Sequence, residues 1–214
     1  QKLLSYGNHL IAPGEGDLAS GLTGEGRMEE PAEIIEILKS WLNQTKDFKG
    51  RKVLVSAGPT FEAIDPVRFI GNNSSGKMGF SIAEEFAKRG ADVTLIAGPV
   101  NQSSSNNIIR IDVTSAEQMF RACIDAYKNA DIVVMTAAVA DFTPVKVSPV
   151  KIKKSDATLV IELKPTLDII KEMGHIKRKG QLLIGFALET NNERENANAK
   201  LIAKNCDLIV LNSL

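Results

Sequence analysis

Apolar positions along the chain fall into two periods. Short runs rich in apolar residues recur at 53–56, 92–96, 108–113, 131–135, 182–186 and 208–211. Each is too short for a helix and is bounded by Gly, Pro, Asn or Asp, which is how buried strands read. Between them, 79–89, a segment from 116 to about 129, and 193–204 carry helical spacing. Gly90 stops the first of these, and Thr114-Ser115 caps the second, with Glu117 near the capping-box position. Thr166 is read as the cap of a further helix over 167–173, with Asp168 in its first turn.

Strand and helix alternate from Arg51 onward, so the pattern predicts a Rossmann-like three-layer α/β/α fold with a mostly parallel central sheet. The alternation breaks after Asp141. A basic stretch, Val150-Lys151-Ile152-Lys153-Lys154, precedes an alternating strand at 158–163, and a hairpin-like excursion is expected around 143–163. Residues 1–30 crowd glycines and read as surface loop. Pro31 then opens a helix with apolar Ile34, Ile35, Ile37, Leu38, Trp41 and Leu42. The polar stretch 43–50 reads as linker, so the expected division is 1–44, a linker at 45–50, and a main domain at 51–214. Gln1 at the start and a stop just after the last strand suggest that both ends are cut.

Composition narrows the function classes. Lys plus Arg and Asp plus Glu both number 26, giving zero formal charge, so neither nucleic acid nor an anionic membrane attracts the molecule as a whole. No apolar run approaches the roughly 18 residues of a transmembrane helix. Aromatics are only 5% of 214 residues, so the core is aliphatic. Cys123 and Cys206 read as buried thiols, and the compartment expected is the cytoplasm.

Chemistry concentrates after the first strand of the main domain. A strand, a small-residue loop and a helix N-terminus make an anion site, because the first-turn N–H groups are free and the helix dipole favours negative charge. Gly71-x-x-x-x-Gly76-Lys77 resembles a P-loop, but Met78 replaces the Ser or Thr that binds magnesium, and the strand ends too early. Phosphate binding by the amides of Ser74, Ser75, Gly76 and Lys77 needs neither feature; a plain surface loop reads equally from the same residues. Thr136-Ala137-Ala138 at a strand end lets a flat ligand approach the backbone, and Asp141 either holds a metal or polar group or starts a turn. Lys151, Lys153 and Lys154, with Lys200 and Lys204 one turn apart, are either solvated faces or the neutralisers of a triphosphate. A dinucleotide-binding reductase using NADPH shares the βαβ order, but no GxGxxG follows any strand.

Three motifs in register, AGPTFEAIDPVRFIGNNSSGKMG at 57–79, AAVADFTPVKVSPVKIKK at 137–154 and GFALETNN at 185–192, resemble the phosphopantothenate–cysteine ligase family. The stretch from Leu18 to Pro31 resembles the tail of the flavin-dependent phosphopantothenoylcysteine decarboxylase that is fused ahead of that ligase in many bacteria. The resemblance implies a CTP-dependent ligase that joins 4′-phosphopantothenate to L-cysteine through an acyl-cytidylate, with Mg2+ as cofactor. FMN then serves only a missing decarboxylase part. It implies catalytic roles for Asn72 and Lys151. It also implies a nucleotide pocket of Ala137, Ala138, Asp141, Lys151, Thr166, Leu167, Asp168, Ile169, Phe186, Lys200 and Lys204, with Asp141 at the metal. The Asn72 and Ser74–Lys77 stretch would hold phosphate or substrate, and the domain would be a homodimer. An inactive assembly fragment of the bifunctional enzyme is the other reading of two cut ends.

Overall fold

In the computed structural model, residues 2–3, 6, 8–17, 23–42, 46–154 and 158–213 are described. Residues 18–22 of the decarboxylase-like stretch 18–31, and 43–45 of the polar stretch read as linker, lie outside them. The chain divides into Gln1–Thr45 and Lys46–Leu214. The first unit is not all loop, as its glycines suggested. Strands β1 (Gly14–Asp17) and β2 (Thr23–Arg27) pair antiparallel, and helix α1 spans Pro31–Leu42.

The second unit is built on six parallel strands: β3 (Lys52–Ala57), β6 (Asp92–Ala97), β7 (Ile108–Asp112), β8 (Ile132–Met135), β11 (Leu182–Glu189) and β12 (Leu208–Ser213). Their order across the sheet is β12-β11-β8-β3-β6-β7. The expected α/β/α layering is what forms. Side chains alternate along β3, so Val53 and Val55 enter one core and Leu54 the other. Helix α2 (Lys77–Lys88) closes the first core with Phe80, Ala83 and Ala87. Helices α3 (Ala116–Tyr127) and α4 (Ile169–His175) close the second with Met119, Cys123, Ile169 and Met173. Helix α5 (Glu193–Ala203) runs along β11 and β12.

Several local expectations shift. The capping box of α3 pairs Ser115 with Gln118, not Glu117, because N3 lies three residues past the cap. Helix α4 starts two residues later than expected, at Ile169, and Asp168 caps it rather than Thr166: its carboxylate accepts the Lys171 amide at 3.0 Å. The excursion is a hairpin, but its strands are β9 (Phe142–Pro144) and β10 (Leu163–Pro165) instead of 158–163. A second small hairpin, β4 (Phe61–Ala63) with β5 (Phe69–Gly71), stands inside the stretch read as loop.

The chain moves outward from β3 to β6 and β7, then returns through α3 to β8 on the other side of β3, and continues outward to β11 and β12. Strand order therefore reverses between β3 and β8. In open α/β sheets the crevice beyond the carboxyl ends at such a reversal is where ligands bind.

Candidate functional site

The two strands at the reversal stay paired past their ends. Thr136 N donates to Ser56 O at 3.2 Å, Ala138 N to Gly58 O at 2.9 Å, and Pro59 bridges Ala138. The buried Ser56 hydroxyl accepts the Ala137 amide at 3.3 Å, and Thr136 Oγ1 donates to Ser56 O at 2.6 Å. Small residues are required here. A Cβ on Gly79 would lie 2.4 Å from Thr136 Oγ1 and 2.6 Å from the Ala57 Cβ. The first turn of α2 thus rests directly on the ends of β3 and β8.

That turn is open to a ligand. Its cap is Gly76 in the left-handed region, φ 72°, and no side chain caps it. Ser74 Oγ accepts the Gly76 amide at 3.3 Å and Ser75 Oγ the Lys77 amide at 3.4 Å, long contacts that hold the turn but leave the next amides to an anion. Phe61, Ser74, Ser75 and the 99–102 loop enclose a cavity of about 570 Å³ beside it. Lys77 is exposed at the first helical position.

Asn72 joins this turn to β8. Its Nδ2 donates to Val139 O at 2.9 Å and Ala138 O at 3.3 Å. Both neighbours are acceptors, which fixes the amide orientation and leaves Oδ1 turned away from them. The Asn72 amide nitrogen is thus committed to backbone.

A second group gathers beyond α4. Thr166, Leu167, Asp168 and Lys204 line a cavity of about 630 Å³ together with Lys171 and His175. Lys204 forms an ion pair with Asp168. Lys200 Nζ donates to Phe186 O at 2.6 Å, so Phe186 enters through its backbone while its ring packs on the first core. Burial, and then the charge of Lys204, pulls the Lys200 ammonium below the usual lysine range. Thr166 ties the two groups: its hydroxyl donates to Ala140 O at 2.7 Å and its amide to Asp141 O at 2.9 Å. Ile169 does not line the site, since it is a core residue. The Asp141 carboxylate is exposed, and among the described residues no group of three or more His, Cys, Asp or Glu converges as a metal site. Lys151 is exposed on the segment after β9.

Reading by sequence missed the buried polar groups behind these residues. Thr60 Oγ1 accepts the Ala140 amide at 3.0 Å, and Glu62 accepts the Ala116 amide at 2.7 Å. Asp65 and Arg68 pair beneath the segment that carries Lys151. The Asp-Pro-x-Arg spacing was the available signal, as a turn with a charge pair three residues apart.

Residues 48–214 match the family described as DNA/pantothenate metabolism flavoprotein C-terminal domain. A cysteine/cysteine sulfinic acid decarboxylase from an unknown prokaryotic organism is 53% identical over 217 residues, covering 99% of this chain and 60% of that protein. The coenzyme A biosynthesis bifunctional protein CoaBC of Haemophilus influenzae is 48% identical, covering 99% of this chain and 53% of its own length. The chain therefore spans little more than half of these curated relatives. A solved C-terminal domain of a CoaBC protein is 46% identical, with TM-score 0.70 over 78% of this chain and 79% of that one. The DNA/pantothenate metabolism flavoprotein from Streptococcus pneumoniae is 27% identical, with TM-score 0.69 over 77% of this chain and 83% of that one. Among the described residues no helix is long and apolar enough to cross a membrane.

These findings correct three expectations. The family is described as a flavoprotein domain and one relative is named a decarboxylase, so they overturn the assignment of a CTP-dependent phosphopantothenate–cysteine ligase. CTP and Mg2+ as the main cofactors fall with it, as does the confinement of FMN to a missing part. The roles of Asn72 and Lys151 on an acyl-cytidylate go too. Of a flavin mononucleotide, the phosphate end matches the open turn of α2. Beside that turn Phe61 and Phe69 stack on each other at 3.9 Å, so their facing sides are not open to a flavin ring.

Proposed function

The chain belongs to the DNA/pantothenate metabolism flavoprotein C-terminal domain family, and from that membership we propose that residues 46–214 bind the phosphate monoester end of a coenzyme A pathway intermediate at the N-terminus of α2. The domain serves a longer, multifunctional enzyme. The observation that carries this reading is the uncapped first turn of α2, seated by Gly79 on the strand-order reversal and held open by Gly76, Ser74 and Ser75. The ligand class is 4′-phosphopantothenate or its cysteine adduct, a dianionic head on a long neutral arm. The head suits free amides and a helix dipole, which act together on an anion. The arm suits a crevice lined by Ala137 and Ala138. Asn72 Oδ1 is an acceptor for an amide N–H of that arm. Lys200 and Lys204, in the second group, suit a carboxylate at the far end; Lys204 reaches it once it leaves Asp168. A cytoplasmic setting and a homodimer belong to the same proposal.

Thermal denaturation with four probes tests it: inorganic phosphate, FMN, 4′-phosphopantothenate and pantothenate. A ligand at 100 times its Kd stabilises by about 2.7 kcal/mol. The reading expects a clear rise in Tm with 4′-phosphopantothenate and none with pantothenate. A rise with FMN alone moves the phosphate site to flavin, and equal rises with both pantothenate forms remove it. Release of CO2 from the cysteine adduct, assayed with the full-length protein, tests the decarboxylation named for the relative.

A further inference from the structure

Asp65 sits in the turn of the β4–β5 hairpin with its side chain 0% exposed, while its partner Arg68 is 41% exposed. A buried carboxylate is costly unless its oxygens are satisfied. Here they are. Oδ1 accepts the Val67 and Arg68 amides at 2.8 and 2.9 Å. Oδ2 accepts Arg68 Nε at 2.9 Å, and Arg68 Nη2 closes the pair. Those bonds are local. Two others reach far along the chain: Ile152 N donates to Asp65 Oδ2 at 3.1 Å, and Arg68 Nη2 donates to Ile152 O at 2.7 Å. One ion pair thus takes both backbone groups of Ile152.

Apolar burial does not hold this segment down. Val145, Val147 and Val150 are 48%, 49% and 68% exposed, and Lys146, Lys151, Lys153 and Lys154 are exposed. Among the described residues its other long-range ties are single backbone bonds, Val145 N to Glu162 O and Ser148 N to Ile64 O, both at 2.9 Å. Ile64 is next to Asp65, so the hairpin turn grips the segment twice. The same hairpin leads directly into Asn72, which is bonded to the end of β8.

We propose that Asp65 and Arg68 form a latch that holds residues 145–154 as a strap on the β4–β5 hairpin.

Limited trypsin digestion of the protein without ligand reads the latch, because the strap carries four lysines. Arg68→Gln is the first variant, since its side chain is partly exposed and the fold should survive. Cutting after Lys151, Lys153 and Lys154 is expected to accelerate about tenfold, the equivalent of about 1.4 kcal/mol of lost restraint. Hydrogen exchange at the Ile152 amide is expected to accelerate likewise, while β3, β6 and β8 stay protected. Asp65→Asn is the second variant and should act the same way. In the wild type, the Ile152 amide should exchange more slowly than its lysine neighbours. Unchanged cutting and exchange in both variants, or an unprotected Ile152 in the wild type, overturns the latch.

Discussion

Gly79→Ala asks how much the site depends on one missing methyl group. The added Cβ would lie 2.4 Å from Thr136 Oγ1, 2.6 Å from the Ala57 Cβ and 3.1 Å from Ser56 O. Ordinary carbon contacts sit at about 3.5–4.0 Å, so the helix must lift by roughly an ångström or the strands must give. Ala57 is fully buried. Thr136 cannot swing aside without losing its 2.6 Å bond to Ser56 O, worth about 1 kcal/mol. Overpacking of this kind costs about 1–3 kcal/mol, and alanine returns about 1 kcal/mol of helix propensity. Counting the lost bond, the expected net loss is about 1–3 kcal/mol, or about 2–12 °C in Tm for a domain of this size. Lifting the first turn also moves the amides proposed to face the phosphate. Losing one charge-assisted hydrogen bond of about 1.5–3 kcal/mol weakens 4′-phosphopantothenate by tenfold or more. Thermal denaturation and calorimetric titration measure the two effects. Ser81→Ala, exposed on the same helix, is the control and should match the wild type. A Gly79→Ala protein with wild-type Tm and affinity refutes the close seating of α2 and its part in binding.

Other expectations follow from the same contacts. Asp168→Ala removes the cap of α4 as well as the partner of Lys204, and denaturant unfolding should show a loss of about 1–2 kcal/mol. Lys204→Met removes only the partly exposed ion pair and should cost about 0–1 kcal/mol. Burial pushes the Asp65 carboxyl up, but the Arg68 side chain and three backbone amides outweigh it and hold the group well below the usual carboxylate range. Its contribution is therefore present above the unfolded value near 3.9 and is lost as pH falls toward the depressed folded value. Urea midpoints of wild type and Asp65→Asn should converge over that acidic window; a constant gap contradicts the assignment. Burial pushes the Cys123 thiol up to about 12, so a thiol reagent at pH 8 should label the half-buried Cys206 first and Cys123 only on unfolding.

The sheet was legible because its central strands, β3 and β8, are buried along nearly their whole length and read as apolar runs; β3 and β6 fall within a residue or two of their expected bounds. The hairpins were not, because three-residue strands such as Phe61–Ala63 and Phe69–Gly71 are shorter than any periodicity can show. The turn ahead of α2 was legible from its glycines, and the structure adds why Gly79 matters: the contact is with Thr136, just past the end of β8. Ile169 was misplaced as a lining residue because α4 begins at Asp168's cap, which turns Ile169 inward. The Asp65–Ile152 bond spans 87 positions and leaves no local trace. Function was least legible: the motifs that resemble a ligase lie in a family described as a flavoprotein domain.

Calorimetric titration of the protein with 4′-phosphopantothenate and with pantothenate, which differ only in the phosphate, tests the central claim most directly. Binding at the α2 turn predicts that removing the phosphate weakens affinity by tenfold or more, since at least one charge-assisted bond of about 1.5–3 kcal/mol is lost. Equal affinity for the two compounds, or no binding of either, contradicts it.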